Sequence, residues 1–218
     1  MYFSLRGVEV AYPLGTSDSD VLRISVHQPG AEQQVAARLA ALCQGLGCSR
    51  PAVLCIGTDR STGDALGPLV GTLLQEYRVG VEVWGTLQHP VHATNLPRVI
   101  EQLRALGLHP VIAVDACLGT QEQVGSIVVG KGRIRPGAGV NKVLPEVGDI
   151  HVTGTVNVAG HMEYMVLQNT RLWLVFKMAL VMATALALVF PRDLPPRASS
   201  PLASLLPAPL QASSLQPQ

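Results

Sequence analysis

The sequence predicts a three-layer α/β/α protein with a mostly parallel β-sheet. Short apolar, β-branched runs alternate along the chain with amphipathic helical patterns, which is typical of strands connected by helices on both faces of a sheet. Proline precedes two of the runs, residues 52–56 and 111–114, and Gly57 follows the first, as is usual for strands buried on both faces. The first leads into a loop that contains Asp64, and the second leads directly into Asp115.

The predicted elements follow one another in the order expected of this fold. Apolar side chains recurring on one helical stripe predict helices over residues 31–46, 66–77 and 96–106. Apolar runs predict strands over residues 52–56, 81–85, 111–116 and 124–129. The segment 131–148, rich in glycine and proline, is predicted to be an ordered loop, and 157–189 a last helical region. The pattern of residues 1–28 predicts no element.

Composition and charge limit the classes of function. With 48% hydrophobic and 14% charged residues, the chain of 218 residues is apolar and long enough for one folded domain. We expect this domain over residues 1–190 and a disordered tail, rich in proline and serine, over 191–218. The formal net charge of +1 gives no electrostatic case for nucleic-acid binding. The four cysteines form no CxxC pair and the N-terminus lacks a signal-peptide core, which favours a cytoplasmic location.

The segment 173–190 is apolar enough to be mistaken for a membrane span. Polar residues nevertheless recur at every seventh position before and within it: Glu163, Thr170, Lys177 and Thr184. This spacing predicts a packing helix with a narrow wet stripe, and with Val175, Leu180 and Val181 facing the sheet. A C-terminal membrane anchor is the alternative, because Lys177 could extend to a membrane interface.

Asp64 and Asp115 are the candidate catalytic residues. Acids that follow parallel strands gather at the carboxyl edge of a sheet, where open α/β folds build their sites. Two carboxylates that converge there can share a proton or a metal, which favours hydrolytic chemistry. Asp64 has a structural alternative as a helix cap. The alternative is weaker for Asp115, because an acid directly after Val-Ile-Ala-Val must be solvated, paired or functional.

The loop around Asp64 offers further candidates for substrate binding, namely Gly57 and Asp59. Asp59 can bind a substrate amine or pair with Arg60. The glycines of the loop match neither standard phosphate-binding spacing, so we interpret them as turn residues around a site. Cys117 is a less favoured nucleophile, because no histidine lies near it in the sequence.

Histidines offer a metal site as an alternative. His89 and His92 follow the strand 81–85, so their loop faces the same predicted edge as the two acids. Two histidines and two acids can hold a metal, but loop histidines are more often ordinary hydrogen-bonding residues. His151 and His161 have the same status. We therefore assign His92 to substrate binding, and no metal or cofactor.

Several separate blocks of the chain form a specific pattern. One set comprises Thr62-Gly63-Asp64-Ala65-Leu66-Gly67-Pro68, Val114-Asp115-Ala116 and Arg135-Pro136-Gly137-Ala138-Gly139-Val140. Another set comprises Gly57-Thr58-Asp59-Arg60-Ser61-Thr62-Gly63-Asp64, Val91-His92-Ala93-Thr94-Asn95-Leu96, Val147-Gly148-Asp149-Ile150 and the segment 162–172. The former set resembles the germination protease of spore-forming bacteria, and the latter set is similar to the small sporulation protein family YyaC. Together they span about residues 51–177.

The resemblance implies the phosphorylase/hydrolase-like fold, which the hydrogenase maturation endopeptidases share. It also implies that Asp64 and Asp115 are the acids proposed for catalysis in the germination protease. In the hydrogenase peptidases the first acid is Glu and a histidine completes a metal site, but that histidine does not carry over to this chain. Small acid-soluble spore proteins are the substrates that the resemblance suggests.

We therefore predict a sporulation-associated endopeptidase of the cytoplasm of the sporulating cell or spore. Asp64 and Asp115 would activate water as general base and acid, and the loops with Gly57, Gly137 and Gly139 would supply backbone amides for the oxyanion. One alternative is a metal-dependent peptidase that uses the same acids with a histidine. The other is a non-catalytic sporulation factor that binds a protein in the same cleft.

Overall fold

A computed structural model describes residues 21–136 and 144–192, which form one mixed α/β unit. The strands within these ranges are β1 (Val21–Ser25), β2 (Ala52–Cys55), β3 (Glu82–Trp84), β4 (Val111–Gly119), β5 (Ser126–Lys131) and β6 (Ile150–Val158). The α-helices are α1 (Ala31–Leu46), α2 (Leu66–Tyr77), α3 (Leu96–Ala105), α4 (Glu163–Gln168) and α5 (Leu172–Val189). Short 3₁₀ turns occupy Gly63–Ala65 and Gln121–Gln123.

The six strands form one sheet in the order β1-β5-β6-β4-β2-β3. Strands β6, β4, β2 and β3 pair in parallel, whereas β5 pairs antiparallel with both of its neighbours. The predicted mostly parallel sheet is therefore confirmed. Because β2 and β4 are parallel neighbours, the loop after β2 and the last residues of β4 meet at the same edge.

Helices cover the two faces of the sheet unequally. On one face, α1, α2 and α5 pack against strand residues such as Val53, Val114 and Val152 in the larger core cluster. On the other face, α3 packs against Leu54 and Ala113. These two cores account for the near-continuous apolar runs of β2 and the first half of β4, which are buried from both sides. The three-layer α/β/α fold is confirmed.

Two strands were not predicted, and one of them is central. β6 pairs with both β4 and β5, and most of it lies between the predicted loop 131–148 and the predicted helix 157–189, where no element was predicted. Its pattern is a period-two alternation in which Ile150, Val152 and Val156 enter the larger core. The predicted start of a helix at Asn157 is wrong, because Asn157 belongs to β6 and pairs with Leu118 of β4. β1 lies in the segment for which no element was predicted.

The C-terminal helical region is two helices rather than one. α4 ends at Gln168 and α5 begins at Leu172, so the seven-residue repeat does not stay on one helical face. The predicted wet stripe is wrong: Thr170 is buried, and Lys177 is half-buried with its Nζ 2.9 Å from Nδ1 of His27. The most exposed large side chains of α5 are instead apolar: Leu172, Trp173 and Leu188.

Helix α5 packs against the body of the protein through one side. Val175 is fully buried and Val181 packs at the margin of the larger core, as predicted, whereas Leu180 is half-buried. By length and composition α5 is also apolar enough to cross a membrane. Its contacts with α1 and α2 favour a packing helix. The domain boundaries 1–190 and 191–218 stay predictions, because residues 1–20 and 193–218 lie outside the described ranges.

Candidate active site

The loop after β2 is held tightly against the start of α2. The Gly57 N–H donates to the Val91 carbonyl at 2.8 Å, and the Thr58 N–H donates to the Asp64 carbonyl at 3.1 Å. Gly57 has φ +144°, and a Cβ there would overlap the Asp64 carbonyl oxygen. Glycine is therefore required for this close approach, in agreement with its interpretation as a turn residue.

Asp64 lies in the 3₁₀ turn that immediately precedes α2. No side chain forms a capping hydrogen bond at the N-terminus of either the turn or α2, so the interpretation of Asp64 as a helix cap is wrong. Burial raises the pKa of the Asp64 carboxyl, and the Ser61 side chain offsets part of this effect. A half-buried carboxyl that does not cap a helix is a candidate for chemistry.

Asp115 lies within β4, where it pairs in register with Thr153 of β6. Burial raises the pKa of its carboxyl well above the usual range, and the negative charge of Asp64 raises it further. The Ala116 N–H donates to Asp115 Oδ1 at 2.9 Å and offsets part of the rise. The structure thus brings Asp64 and Asp115 together at one edge of the sheet, near enough for one charge to act on the other.

The candidate substrate-binding residues Asp59 and His92 lie on loops at this edge of the sheet. Asp59 is exposed at the tip of the Gly57 loop. His92 is half-buried, and its Nδ1 lies 2.9 Å from Thr94 Oγ1. It directly follows Val91, which forms a parallel bridge with Ile56, so the His92 loop lies at the same edge as predicted. Gly137 and Gly139 lie outside the described residues, and their binding role stays a prediction.

The other histidines do not join the two acids. His151 is buried within β6, where its Nδ1 lies 3.3 Å from the Gly132 carbonyl oxygen and burial lowers its pKa. It pairs with Ala113, two residues before the level of Asp115. His161 is exposed ahead of α4. Within residues 21–136 and 144–192, no three histidine, cysteine, aspartate or glutamate side chains are grouped as a metal site requires.

Cys117 lies two residues beyond Asp115 but is not an activated nucleophile. Its Sγ lies 3.5 Å from Thr155 Oγ1. Burial raises the pKa of the thiol, and the charge of Asp115 acts in the same direction. Because the thiolate is the nucleophilic form, these surroundings disfavour a cysteine mechanism.

Helix α4 supports the Asp64 loop from the side of β6, and its role was missed in the sequence. Gly63 packs so closely on α4 that a Cβ would approach Leu167 Cδ2 to 2.7 Å and Thr170 Oγ1 to 3.1 Å. Asn157, near the end of β6, donates from Nδ2 to the Val166 carbonyl and to Thr170 Oγ1, both at 3.2 Å. A polar residue near the end of a strand was the available signal, as it was for Asp115.

Two further features of this edge lack a structural explanation. The Ser61 side chain is only 4% exposed, and its Oγ has no hydrogen-bond partner among the described residues. On the outer side of α4, Met162, Tyr164 and Met165 are exposed, and Met162 has a positive φ of 60°. Exposed apolar clusters often mark binding surfaces, and a buried hydroxyl without a partner in the protein calls for an explanation such as a bound water.

The fold and this edge define a three-layer α/β protein with an acidic pair at the carboxyl edge of its sheet. Residues 24–185 match the family described as protein of unknown function DUF1256, and the chain belongs to that family. It is 58% identical over 138 residues to a Bacillus subtilis (strain 168) protein described as uncharacterized protein YyaC, an overlap that covers 62% of this chain and 67% of that protein. The resemblance to the YyaC family is therefore confirmed.

A solved structure is also similar. The [NiFe] hydrogenase maturation protease HycI from Thermococcus kodakarensis KOD1 superposes with a TM-score of 0.49 at 18% sequence identity. The superposition covers 69% of this chain and 97% of that one. We draw no functional conclusion from a likeness of this size.

Proposed function

We propose that this protein is an endopeptidase in which Asp64 and Asp115 activate water for peptide hydrolysis. The observation that carries the proposal is the pair itself: two carboxyl groups at one edge, both with a raised pKa, one of them raised further by the charge of the other. Two such groups titrate as a coupled pair, so one keeps its proton while the other is ionised. This is the protonation state that a paired general base and general acid need.

The two environments assign the two roles. Asp115 experiences the greater burial and the charge of Asp64, so it holds the proton and is the general acid. Asp64 is the ionised partner and the general base. It takes a proton from water as the water oxygen attacks the peptide carbonyl carbon, and Asp115 then protonates the leaving amine as the C–N bond breaks. The N–H groups of Gly57, Thr58 and Arg60 already donate within the protein, so the predicted role of the Gly57 amide is wrong. Backbone N–H groups of residues 59 and 61–63 would donate to the oxyanion instead.

The proposed substrate is a protein or peptide of the sporulating cell or spore, with small acid-soluble spore proteins as the first candidates. The blocks that resemble the germination protease and the YyaC family support this choice. Exposed Met162, Tyr164 and Met165 beside the Asp64 loop also support a polypeptide, because methionine and aromatic side chains are favoured at adaptable peptide-binding surfaces. We propose a cytoplasmic location on the same grounds.

A non-catalytic sporulation factor is a second candidate. The same exposed apolar cluster on α4 would serve it, since a protein can be bound at this edge without being cleaved. The metal-dependent alternative has less support, because the described residues group no third ligand with the two acids.

Mass spectrometry of the reaction products tests the proposal. Purified full-length protein is incubated with a small acid-soluble spore protein and with a reduced, carboxymethylated protein as an unfolded substrate. We expect discrete cleavage products that are absent with Asp64→Asn and that persist in the presence of a chelator. Binding of either substrate without products would favour the non-catalytic factor, and loss of products with the chelator would favour the metal-dependent peptidase.

A further inference from the structure

Ser61 is the buried polar residue that the fold leaves unexplained at the candidate site. It stands at the centre of the loop between Gly57 and Asp64, and its carbonyl accepts the Ala65 N–H at 3.0 Å. Its backbone is therefore engaged in shaping the turn. Its hydroxyl is not, because Oγ is buried and has no hydrogen-bond partner among the described residues.

An unpartnered buried hydroxyl is costly. Leaving such a group unsatisfied costs about 1–3 kcal/mol, so an alanine at this position would be favoured if the side chain served the fold alone. Buried polar atoms without a protein partner are commonly satisfied by ordered water. An ordered water is therefore the expected partner of the Ser61 hydroxyl.

One polar group on which the Ser61 side chain acts is the carboxyl of Asp64. The Ser61 side chain acts on the ionised form of Asp64, so the two lie near each other, yet no hydrogen bond of proper geometry joins them. A water placed between them would satisfy both groups. The same water would lie beside the Asp64 carboxylate, which is the proposed general base and requires a water molecule as its substrate for proton abstraction.

We propose that Ser61 and Asp64 together bind the hydrolytic water, with Ser61 Oγ accepting one of its hydrogens and the Asp64 carboxylate accepting the other. This inference rests on the proposed function for its chemical meaning. The two hydrogen bonds fix both O–H directions, which leaves an oxygen lone pair free to attack a carbonyl carbon. As the C–O bond forms, one proton passes to Asp64, and Asp115 gives its proton to the leaving nitrogen. Ser61 keeps its own proton and forms no covalent bond.

Ser61→Ala tests the role through kinetics and stability together. We expect kcat to fall about tenfold to a hundredfold, as misplacing a reacting group does, while KM stays within about twofold. The melting temperature should be kept or raised, because no protein hydrogen bond is lost. A buried serine two strands from β4, Ser126, provides the matched control, and Ser126→Ala should leave kcat unchanged. An unchanged kcat in Ser61→Ala would overturn the inference, as would a fall in kcat that merely follows a fall in melting temperature.

A second measurement separates this inference from the proposed function. High-resolution crystal structures of the wild type and Ser61→Ala should show an ordered water within hydrogen-bond distance of both Ser61 Oγ and Asp64 in the first, and no water at that position in the second. This result supports the water site even for a protein that cleaves nothing, in which case only the proposed function fails. A wild-type structure without that water overturns the inference even for an active peptidase.

Discussion

Two carboxylates along β4, one beside its first residue and one in its middle, are treated in opposite ways by the fold. Asp149 lies beside the first residue of the strand, where its Oδ2 accepts the Val111 N–H at 2.8 Å and lies 3.1 Å from His109 Nδ1. Asp115 lies farther along the strand, where burial and the charge of Asp64 oppose its ionisation. Both carboxylates accept a backbone N–H, but among residues 21–136 and 144–192 an ion pair with a basic side chain is found for Asp149 and not for Asp115. The environment of a carboxylate, rather than its presence near a strand end, distinguishes a structural acid from a functional candidate.

The two edges of the sheet, at the two ends of its parallel strands, also differ in the groups that they present. The edge near Asp149 carries an open cavity of about 630 Å³ whose lining includes the exposed residues Arg50, Arg78 and Arg192. The opposite edge carries the acidic pair, the buried Ser61 hydroxyl and glycines at close backbone approaches. The presence of this cavity would direct attention to the first edge. The Ser61 hydroxyl, which lacks a hydrogen-bond partner among the described residues, and the carboxyl groups with a raised pKa direct attention to the second edge.

The largest expected effect is on catalysis at the Asp115 end of the comparison. Asp64→Asn and Asp115→Asn should each lower kcat by about a thousandfold or more, and the double variant should be scarcely slower than either, because residues that act as a unit are not additive. Steady-state kinetics with a peptide identified by mass spectrometry measures this. Asp149→Asn is the matched control beside the first residue of β4 and should keep wild-type kcat. Single variants that cleave at the wild-type rate would contradict the paired mechanism.

The next effect is on stability, and its sign follows from the raised pKa of Asp115. Well below its ordinary pKa value of 3.8, the carboxyl is protonated in both the folded and the unfolded state. As the pH rises above that value, the unfolded chain releases the proton while the folded protein keeps it, so the free energy of unfolding falls until the raised pKa is passed. Asp115→Asn removes this dependence.

Urea denaturation at several pH values measures the difference. Asp115→Asn should be more stable than the wild type near pH 8, and this advantage should disappear towards pH 4. A variant that is less stable than the wild type at pH 8 would show that the Asp115 carboxylate stabilises the fold, which would make it resemble Asp149.

The acids of this edge were predictable from the sequence, whereas their supports were not. An apolar run that leads directly into Asp115 predicts a buried strand, and the structure has that strand, although β4 continues beyond Asp115 to Gly119. β6 escaped prediction because its alternation of Val and Thr around Gly154 is half polar and is followed by a long apolar helix. The polar positions of β6 belong to one face, which is apparent only when the neighbouring strands are known.

Ser61 and Thr170 could not have been selected from the sequence for a different reason. Their burial depends on contacts between segments far apart in the chain: Gly63 packs on α4, and Thr170 accepts a hydrogen bond from Asn157. Serine and threonine in a loop are usually exposed, so composition predicts the wrong environment for both. Local patterns identify where a strand ends, and only the tertiary structure shows which polar atoms are left without partners.

A third prediction concerns the Asp149 end of the comparison. Asp149→Ala leaves the partly buried Val111 N–H without its acceptor, and we expect a loss of about 1–3 kcal/mol in the free energy of unfolding. Asp149→Asn keeps an oxygen acceptor at that position and should lose less. Urea denaturation of the two variants measures the difference, and equal losses would show that charge, rather than the hydrogen bond to Val111, is what the fold uses.

The smallest effect is expected at His109. Its side chain is 60% exposed and that of Asp149 is 29% exposed, so solvent screens the ion pair and the imidazole contributes little beyond what the Val111 N–H already provides. His109→Gln should lower the free energy of unfolding by less than about 1 kcal/mol, which is within the range of exposed ion pairs. Adding His109→Gln to Asp149→Ala should lower the free energy of unfolding further by less than about 1 kcal/mol. A loss in His109→Gln as large as that in Asp149→Ala would mean that the ion pair, and not the hydrogen bond to the backbone, holds Asp149 in place. Asp149 would then differ from Asp115 only in the charge of the neighbouring side chain, which is His109 for Asp149 and Asp64 for Asp115.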